Sequence, residues 1–275
     1  MNLALWFASI GKKVLYVSLA DQNWKDFVVR LGSIAFGISF SEAYSNIKEV
    51  YDNLVKITGS NLEVSVNTAG TVTVDQIIDH TIETGAEILM IDYDGCLGLD
   101  NTGRAFDDSM YNAFGDVYNK LTKLTVGNET GVGNGPQRLV FVLSQPKVSS
   151  WGNSTSTNLI SLGDLAESSK KAQIIDGCIN ISRVSPYSCP HQLYDIRLTK
   201  ARRGKVGTHA TYYRNQARFI EIPQGLAEQL KMETEEHEYT DQQILAMAER
   251  YKQQEQNIQQ SIKQEQKQRH DNPFT

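Results

Sequence analysis

EILMIDYDG, residues 87–95, runs an apolar stretch, Ile88 to Ile91, straight into the carboxylate of Asp92, with Tyr93 and a second acid, Asp94, behind it. A short apolar run bounded by polar residues is the pattern of a strand buried on both faces, as in a parallel sheet. Open α/β sheets bind ligands at the C-terminal edge of their strands. A carboxylate at that edge can hold a hydrated magnesium ion beside nucleotide phosphates. Apolar strands also end on Asp for purely structural reasons, so this stretch alone leaves both readings open.

The neighbouring sequence alternates in the same way. LALWFASI within residues 1–10 reads as a short, buried apolar helix. KKVLYVSLAD (12–21) reads as a buried strand, followed by helical patterns over 24–35 and 41–57. LEVSVNT (62–68) is a second strand, and TVDQIIDHTIETG (73–85) a helix stopped by Gly85. Residues 105–126 carry a helical apolar stripe, and RLVFVLSQ (138–145) is the next strand. A polar loop (146–158) and a short helix near 163–172 lead to three strands at 177–184, 193–201 and 208–215. Strands that alternate with helices and then follow one another predict an α/β fold, with a mostly parallel central sheet, flanking helices and antiparallel edge strands.

The expected domain spans 1–223, and 224–275 forms an acidic, Gln-rich tail, helical or disordered. In that tail TDQQ (240–243) has the form of a capping box. Ile244, Ala248, Tyr251, Ile258 and Ile262 make a weak amphipathic stripe. Both a solvated tail helix and a partner-docking helix fit that pattern.

The chain has 275 residues, enough to bury a substantial core. A net charge of −5 excludes wholesale electrostatic binding of nucleic acid by one copy. It leaves room for a local basic loop, or for a basic channel built from several copies. The three cysteines, Cys96, Cys178 and Cys189, lack metal-ligand spacing, and an odd count suits a reducing cytoplasm. No run of eighteen apolar residues predicts a membrane span.

Three further segments could join Asp92. VLSQ sets Ser144 and Gln145 at the end of a strand, where an amide can sense a terminal phosphate or simply cap its own strand. TKARRGKVGTH (199–209) gathers Lys200, Arg202, Arg203 and Lys205 at a strand end. Such a cationic tip is either a solvated turn or a reach toward a neighbour's phosphate site. LGDLAESSKKAQ (162–173) offers a polar helix start whose backbone N–H groups can bind the phosphates of a nucleic-acid strand.

In this order and spacing, the segments over about residues 1–223 resemble the RecA-like motor domain of hexameric replicative DNA helicases. They are most similar to the replication helicases of T-even-like phages and, more distantly, to the bacterial replicative helicase. VLYVSLAD resembles the strand after the phosphate loop, ILMIDYDG the Walker B strand, and VLSQ the sensor strand. GDLAES with AQIID resembles the DNA-binding loop, and KARRGKVG the hairpin of trans-acting cations.

The resemblance implies ATP and Mg2+ as cofactors. Asp92 would organise the metal, Gln145 would sense the phosphate, and Lys200 and Arg202 would reach ATP on the adjacent subunit. Glu167, Ser168, Ser169 and Lys170 would line a channel for single-stranded DNA. The implied partners are that DNA, five further copies in a hexameric ring, and a primase and a helicase loader. The implied location is the cytoplasm, that of the host for a phage protein.

Two departures stand out. No G-x-x-x-x-G-K-S/T phosphate loop occurs in the sequence. Ala20 stands at the ungapped position of the family's catalytic glutamate, and Asp21, one residue later, aligns with it only across a one-residue insertion. The alternatives are therefore a helicase part completed by a preceding segment, a non-catalytic RecA-like subunit for assembly or DNA binding, and a recombinase-type RecA-like ATPase.

Overall fold

The computed structural model describes residues 1–19, 23–98, 106–127, 135–145, 169–184, 191–207, 209–215, 217–233 and 239–271. In chain order the first elements are α1 (Asn2–Ser9), β1 (Val14–Ser18), α2 (Trp24–Phe36), α3 (Phe40–Ser45), α4 (Ile47–Thr58), β2 (Leu62–Val66) and α5 (Val74–Glu83). Then come β3 (Ile88–Asp92), a 3-10 turn (Asp94–Cys96), α6 (Phe106–Thr125) and β4 (Leu139–Val142). The chain continues with α7 (Ser169–Ile174), β5 (Gly177–Arg183), β6 (Leu193–Ala201), β7 (His209–Asn215), β8 (Arg218–Ile222), α8 (Gln224–Met232) and α9 (Asp241–Asp271).

β1 to β4 form a parallel sheet in the order β2-β1-β3-β4, and β5 to β8 form a consecutive antiparallel sheet. The α/β architecture expected from the sequence is present. The antiparallel strands pair among themselves, as a second four-stranded sheet.

The apolar runs of β1 and β3 are explained by burial on both faces. Leu15, Val17, Leu89 and Ile91 pack with Ile77 of α5 and with Phe114, Val117, Leu121 and Leu124 of α6. The alternate residues Val14, Tyr16, Ile88 and Met90 pack with Ala4 and Ala8 of α1 and Phe27 of α2. Each large apolar side chain enclosed this way stabilises the fold by roughly 1.5–3 kcal/mol.

The helices start and stop where local chemistry dictates. The Asn23 side chain accepts from the Asp26 N–H at 3.1 Å to open α2, and Gly37, at φ 68°, closes it in a left-handed conformation that a Cβ disfavours. Thr73 and Gln76 form a reciprocal capping box on α5. The helix expected over 41–57 is broken at Asn46, which ends α3 and leads into α4.

The four sheet edges are unlike. β2 carries Glu63, and β8 carries Arg218 and Glu221, charges of the kind that blunt a terminal edge. β4 is LVFV without a polar side chain, and none of its residues is fully buried. On β5, Ile179 and Ile181 are more than half exposed, at 53% and 54%.

The polar composition after residue 223 conceals a packed segment. Leu226, Ala227 and Leu230 of α8, with Ile244 and Ala248 of α9, are buried against Leu193, Tyr213, Ile220 and Ile222 of the second sheet. Thr240 and Gln243 make the capping contacts expected of TDQQ, with the Thr240 N–H donating to Gln243 Oε1 at 2.8 Å and the Gln243 N–H to Thr240 Oγ1 at 3.3 Å.

α2 and α4 cross at a glycine. A Cβ on Gly32 would lie 2.3 Å from Val50 Cγ1. Gly32→Ala is therefore expected to destabilise the protein by about 1–3 kcal/mol despite the better helix propensity of alanine. Urea unfolding measures the loss, and Val50→Ala in the Gly32→Ala background should cost less than it does alone.

Candidate functional site

The parallel register brings the strand ends to one rim. Ser18 of β1 lies opposite Asp92 of β3, and Ile91 lies opposite Val142 of β4. Pairing continues past β4, where the Leu143 N–H donates to the Ile91 carbonyl at 2.9 Å and the Asp94 N–H to the Leu143 carbonyl at 3.0 Å. Leu143 is thus the residue beside Asp92, and Ser144 and Gln145 follow it past the end of β4. Asp92 is half-buried and Gln145 exposed.

Asp92 falls on the face covered by α1 and α2. There the Tyr16 hydroxyl donates to Asp92 Oδ2 at 2.5 Å. Burial raises the Tyr16 pKa far above the usual phenol range; the charge of Asp92 and its hydrogen bond push the same way, and Arg30 opposes them weakly. Tyr16 therefore remains a donor at any ordinary pH. The start of α1 faces the same place, with Met1 close enough to feel the charge of Asp92. The Ser18 hydroxyl is buried there without a hydrogen-bond partner. The Asp92–Tyr93 peptide bond is cis.

A second constellation, which the sequence reading missed, lies just behind the rim. Lys171 of α7 is 1% exposed and donates to Asp94 Oδ2 at 2.8 Å, Asp94 itself being 2% exposed. The Tyr118 hydroxyl donates to the same oxygen at 2.8 Å. Lys171 Nζ stands 4.1 Å from the centre of the Phe114 ring and 3.4 Å from Ser144 Oγ. Its members are 77 residues apart in the case of Asp94 and Lys171, and nothing in KKAQ or DYDG signals the pairing.

The cationic hairpin folds back on its own chain. Lys200 donates to the carbonyl of Ala172 and, at 3.4 Å, to that of Gln173. The Arg202 guanidinium donates to Gln173 O at 3.0 Å and Ile174 O at 2.9 Å, and pairs with Asp176 at 3.3 Å. These are the carbonyls at the C-terminal end of α7, where cations are favoured. Arg203 and Lys205 are exposed. Lys200 and Arg202 are thus joined to α7 within one chain and not to Asp92 or Gln145.

Of the four residues expected at a nucleic-acid strand, Ser169 opens α7. Lys170 follows, its stem so close to Gly115 of α6 that a Cβ there would meet Lys170 Cδ at 3.0 Å. Glu167 and Ser168 lie outside the described residues, as do Ala20 and Asp21. Among the described residues no three His, Cys, Asp or Glu side chains converge as a metal cage. A cleft of ≈ 210 Å³ lined by Val17, Asn67, Gln76 and His80 lies on the β2 and α5 side and contains none of the rim residues.

The chain matches no protein-family model and no curated protein. Its fold is similar to solved structures. One is an ATPase domain, at 19% identity and a TM-score of 0.59, with 81% of this chain and 80% of that chain covered. Another is a DnaB-like replicative helicase, described with its interactions with primase, at 20% identity and a TM-score of 0.61. That likeness covers 80% of this chain and 54% of the helicase, so this chain spans about half of it. The architecture is thus an α/β, RecA-like fold.

The Tyr16–Asp92 contact has a pH signature. An unfolded phenol ionises near pH 10, whereas the folded Tyr16 keeps its proton beyond that. Above about pH 10 the native state binds more protons than the unfolded one, so stability falls as pH rises, by at most about 1.4 kcal/mol per pH unit for this group. Tyr16→Phe should reduce that slope in urea titrations between about pH 8 and 11. Tyr212 and Tyr239, also raised by burial, leave a remainder.

Proposed function

We propose that this chain is the motor part of an ATP-dependent replicative DNA helicase that translocates on single-stranded DNA and unwinds duplex DNA as a hexamer. The observation that carries this reading is that β3, which ends on Asp92, and β4, whose chain runs on to Ser144 and Gln145, are neighbouring parallel strands with their C-terminal ends at the rim where α/β folds take nucleotides. The fold likeness to an ATPase domain and to a DnaB-like replicative helicase supports it.

In this reading the Asp92 carboxylate would hold a magnesium ion for the phosphates of ATP. The residues present fit such a group: one carboxylate and one buried hydroxyl without a partner, Ser18, stand at the rim, and no closed protein cage is needed. Magnesium would supply charge neutralisation on the phosphates. Tyr16 fixes the Asp92 carboxylate by donating to one of its oxygens, and leaves the other free to face solvent or a ligand. Gln145 senses the terminal phosphate, and Asp21 stands in for the family's glutamate in polarising water. Lys200 and Arg202 reach the nucleotide of the adjacent copy, while Glu167, Ser168, Ser169 and Lys170 contact the DNA strand. A primase, a loader and a cytoplasmic setting belong to the same reading. No described helix is long and apolar enough to cross a membrane.

A second reading, a non-catalytic RecA-like subunit used for assembly or DNA binding, is favoured by two observations. The sequence holds no phosphate loop, and Lys200 and Arg202 are engaged on α7 of their own chain.

Joined to a segment that carries a G-x-x-x-x-G-K-S/T loop ahead of α1, the protein is expected to bind ATP in a magnesium-dependent way and to hydrolyse it faster with single-stranded DNA. Calorimetry that finds no such binding defeats the motor reading and leaves the second one standing. In the active protein, Arg202→Ala should lower DNA-stimulated turnover by roughly 10³-fold while nucleotide affinity holds. Lys170→Ala should weaken oligonucleotide binding and flatten its salt dependence.

A further inference from the structure

α7 has six residues and is held from two sides. Lys171 ties it to Asp94, two residues beyond Asp92, and to Ser144, one residue before Gln145. Lys200 and Arg202 hold the carbonyls at its other end. Phe114 and Tyr118 of α6 enclose the Lys171 ammonium, and the Tyr118 hydroxyl takes up the same Asp94 oxygen.

Stability alone explains this arrangement poorly. Two charges taken fully out of water lose their hydration, and an apolar pair of similar volume commonly stabilises a core as well or better. What an ion pair adds is a unique geometry. The Asp94 carboxylate accepts two donors from different helices, so it sets α7 and α6 against the strand ends in one register. The residues that begin α7, Ser169 and Lys170, are then fixed relative to Asp92 and Gln145 through a single buried ammonium group.

We infer that Lys171 is a positioning residue that couples the start of α7 to the strand-end rim, so that occupancy of α7 by a nucleic-acid strand changes the order of Asp92 and Gln145. This rests on the reading that the start of α7 meets single-stranded DNA. The coupling is carried by Asp94 and Ser144 on the rim side and by Lys171 on the helix side. Neither Lys171 nor Asp94 needs to touch nucleic acid for it to operate.

The test uses oligo(dT) of about twenty nucleotides as the probe, and hydrogen exchange of the segments 88–98 and 139–145 as the readout. In the unaltered protein, oligo(dT) is expected to slow exchange at both segments by about 5- to 150-fold, the range of ordinary site-to-site coupling. The double variant Lys171→Met, Asp94→Leu replaces the pair by apolar side chains. It is expected to melt no earlier than the unaltered protein and to bind oligo(dT) within about twofold of the original affinity, yet to show no response at the rim. Asp94→Asn keeps the size of the side chain and serves as a second variant, with a diminished rim response expected.

A double variant with the rim response intact overturns the proposal, because the pair would then be a replaceable part of the core. An unaltered protein that binds oligo(dT) without any change at the rim also overturns it, while the DNA reading survives. Absence of oligo(dT) binding in the unaltered protein overturns the DNA reading and the coupling together.

Discussion

The parallel ladder of β1, β3 and β4 is the constraint on which the remainder depends. Both faces of its central strands are covered, so one residue's slip in register would carry every buried side chain to the opposite face. That penalty fixes the register. The register fixes that Ser18, Asp92 and the end of β4, from which the chain runs on to Ser144 and Gln145, arrive at one rim. The hydrogen bond from Tyr16, two residues before Ser18 and therefore on the same face, is a further consequence of the same alternation.

Much of this was legible in the sequence, and for a clear reason. Apolar runs such as VLYV and ILMI report burial on both faces directly, and the polar residue that ends each run reports where the strand leaves the core. That the strands leading to Asp92 and Gln145 are parallel neighbours was expected from the strand patterns together with the family resemblance, and the ladder has them so. The Asp94–Lys171 pair was not legible. A lysine in a polar stretch of charged and small residues reads as solvated, and only the packing of α7 against Phe114 and Tyr118 removes it from water. The segment after residue 223 misled for a related reason. Its Gln, Glu and Lys content masks four or five well-spaced apolar positions, and those suffice to seat α8 and the start of α9 on the second sheet. The break at Asn46 escaped notice because the apolar periodicity runs through it nearly unchanged.

The cationic hairpin shows how a charge cluster can serve a demand other than the one its sequence suggests. Read from sequence, Lys200 and Arg202 were a tip aimed outward. In the fold they complete the C-terminal end of a helix too short to satisfy its own carbonyls. About half of the Arg202 side chain remains exposed, at 52%, so its contacts with α7 are made in water and are individually weak.

The contrast among the sheet edges bears on how the molecule behaves in bulk. Charges on β2 and β8 blunt those edges, whereas β4 ends its sheet among the described residues with main-chain groups flanked by leucine, valine and phenylalanine. Such an edge adheres to any extended polypeptide of matching hydrophobicity, its own sibling included. An edge of this kind favours association by added strands, and the charges that oppose it on β2 and β8 have no counterpart there.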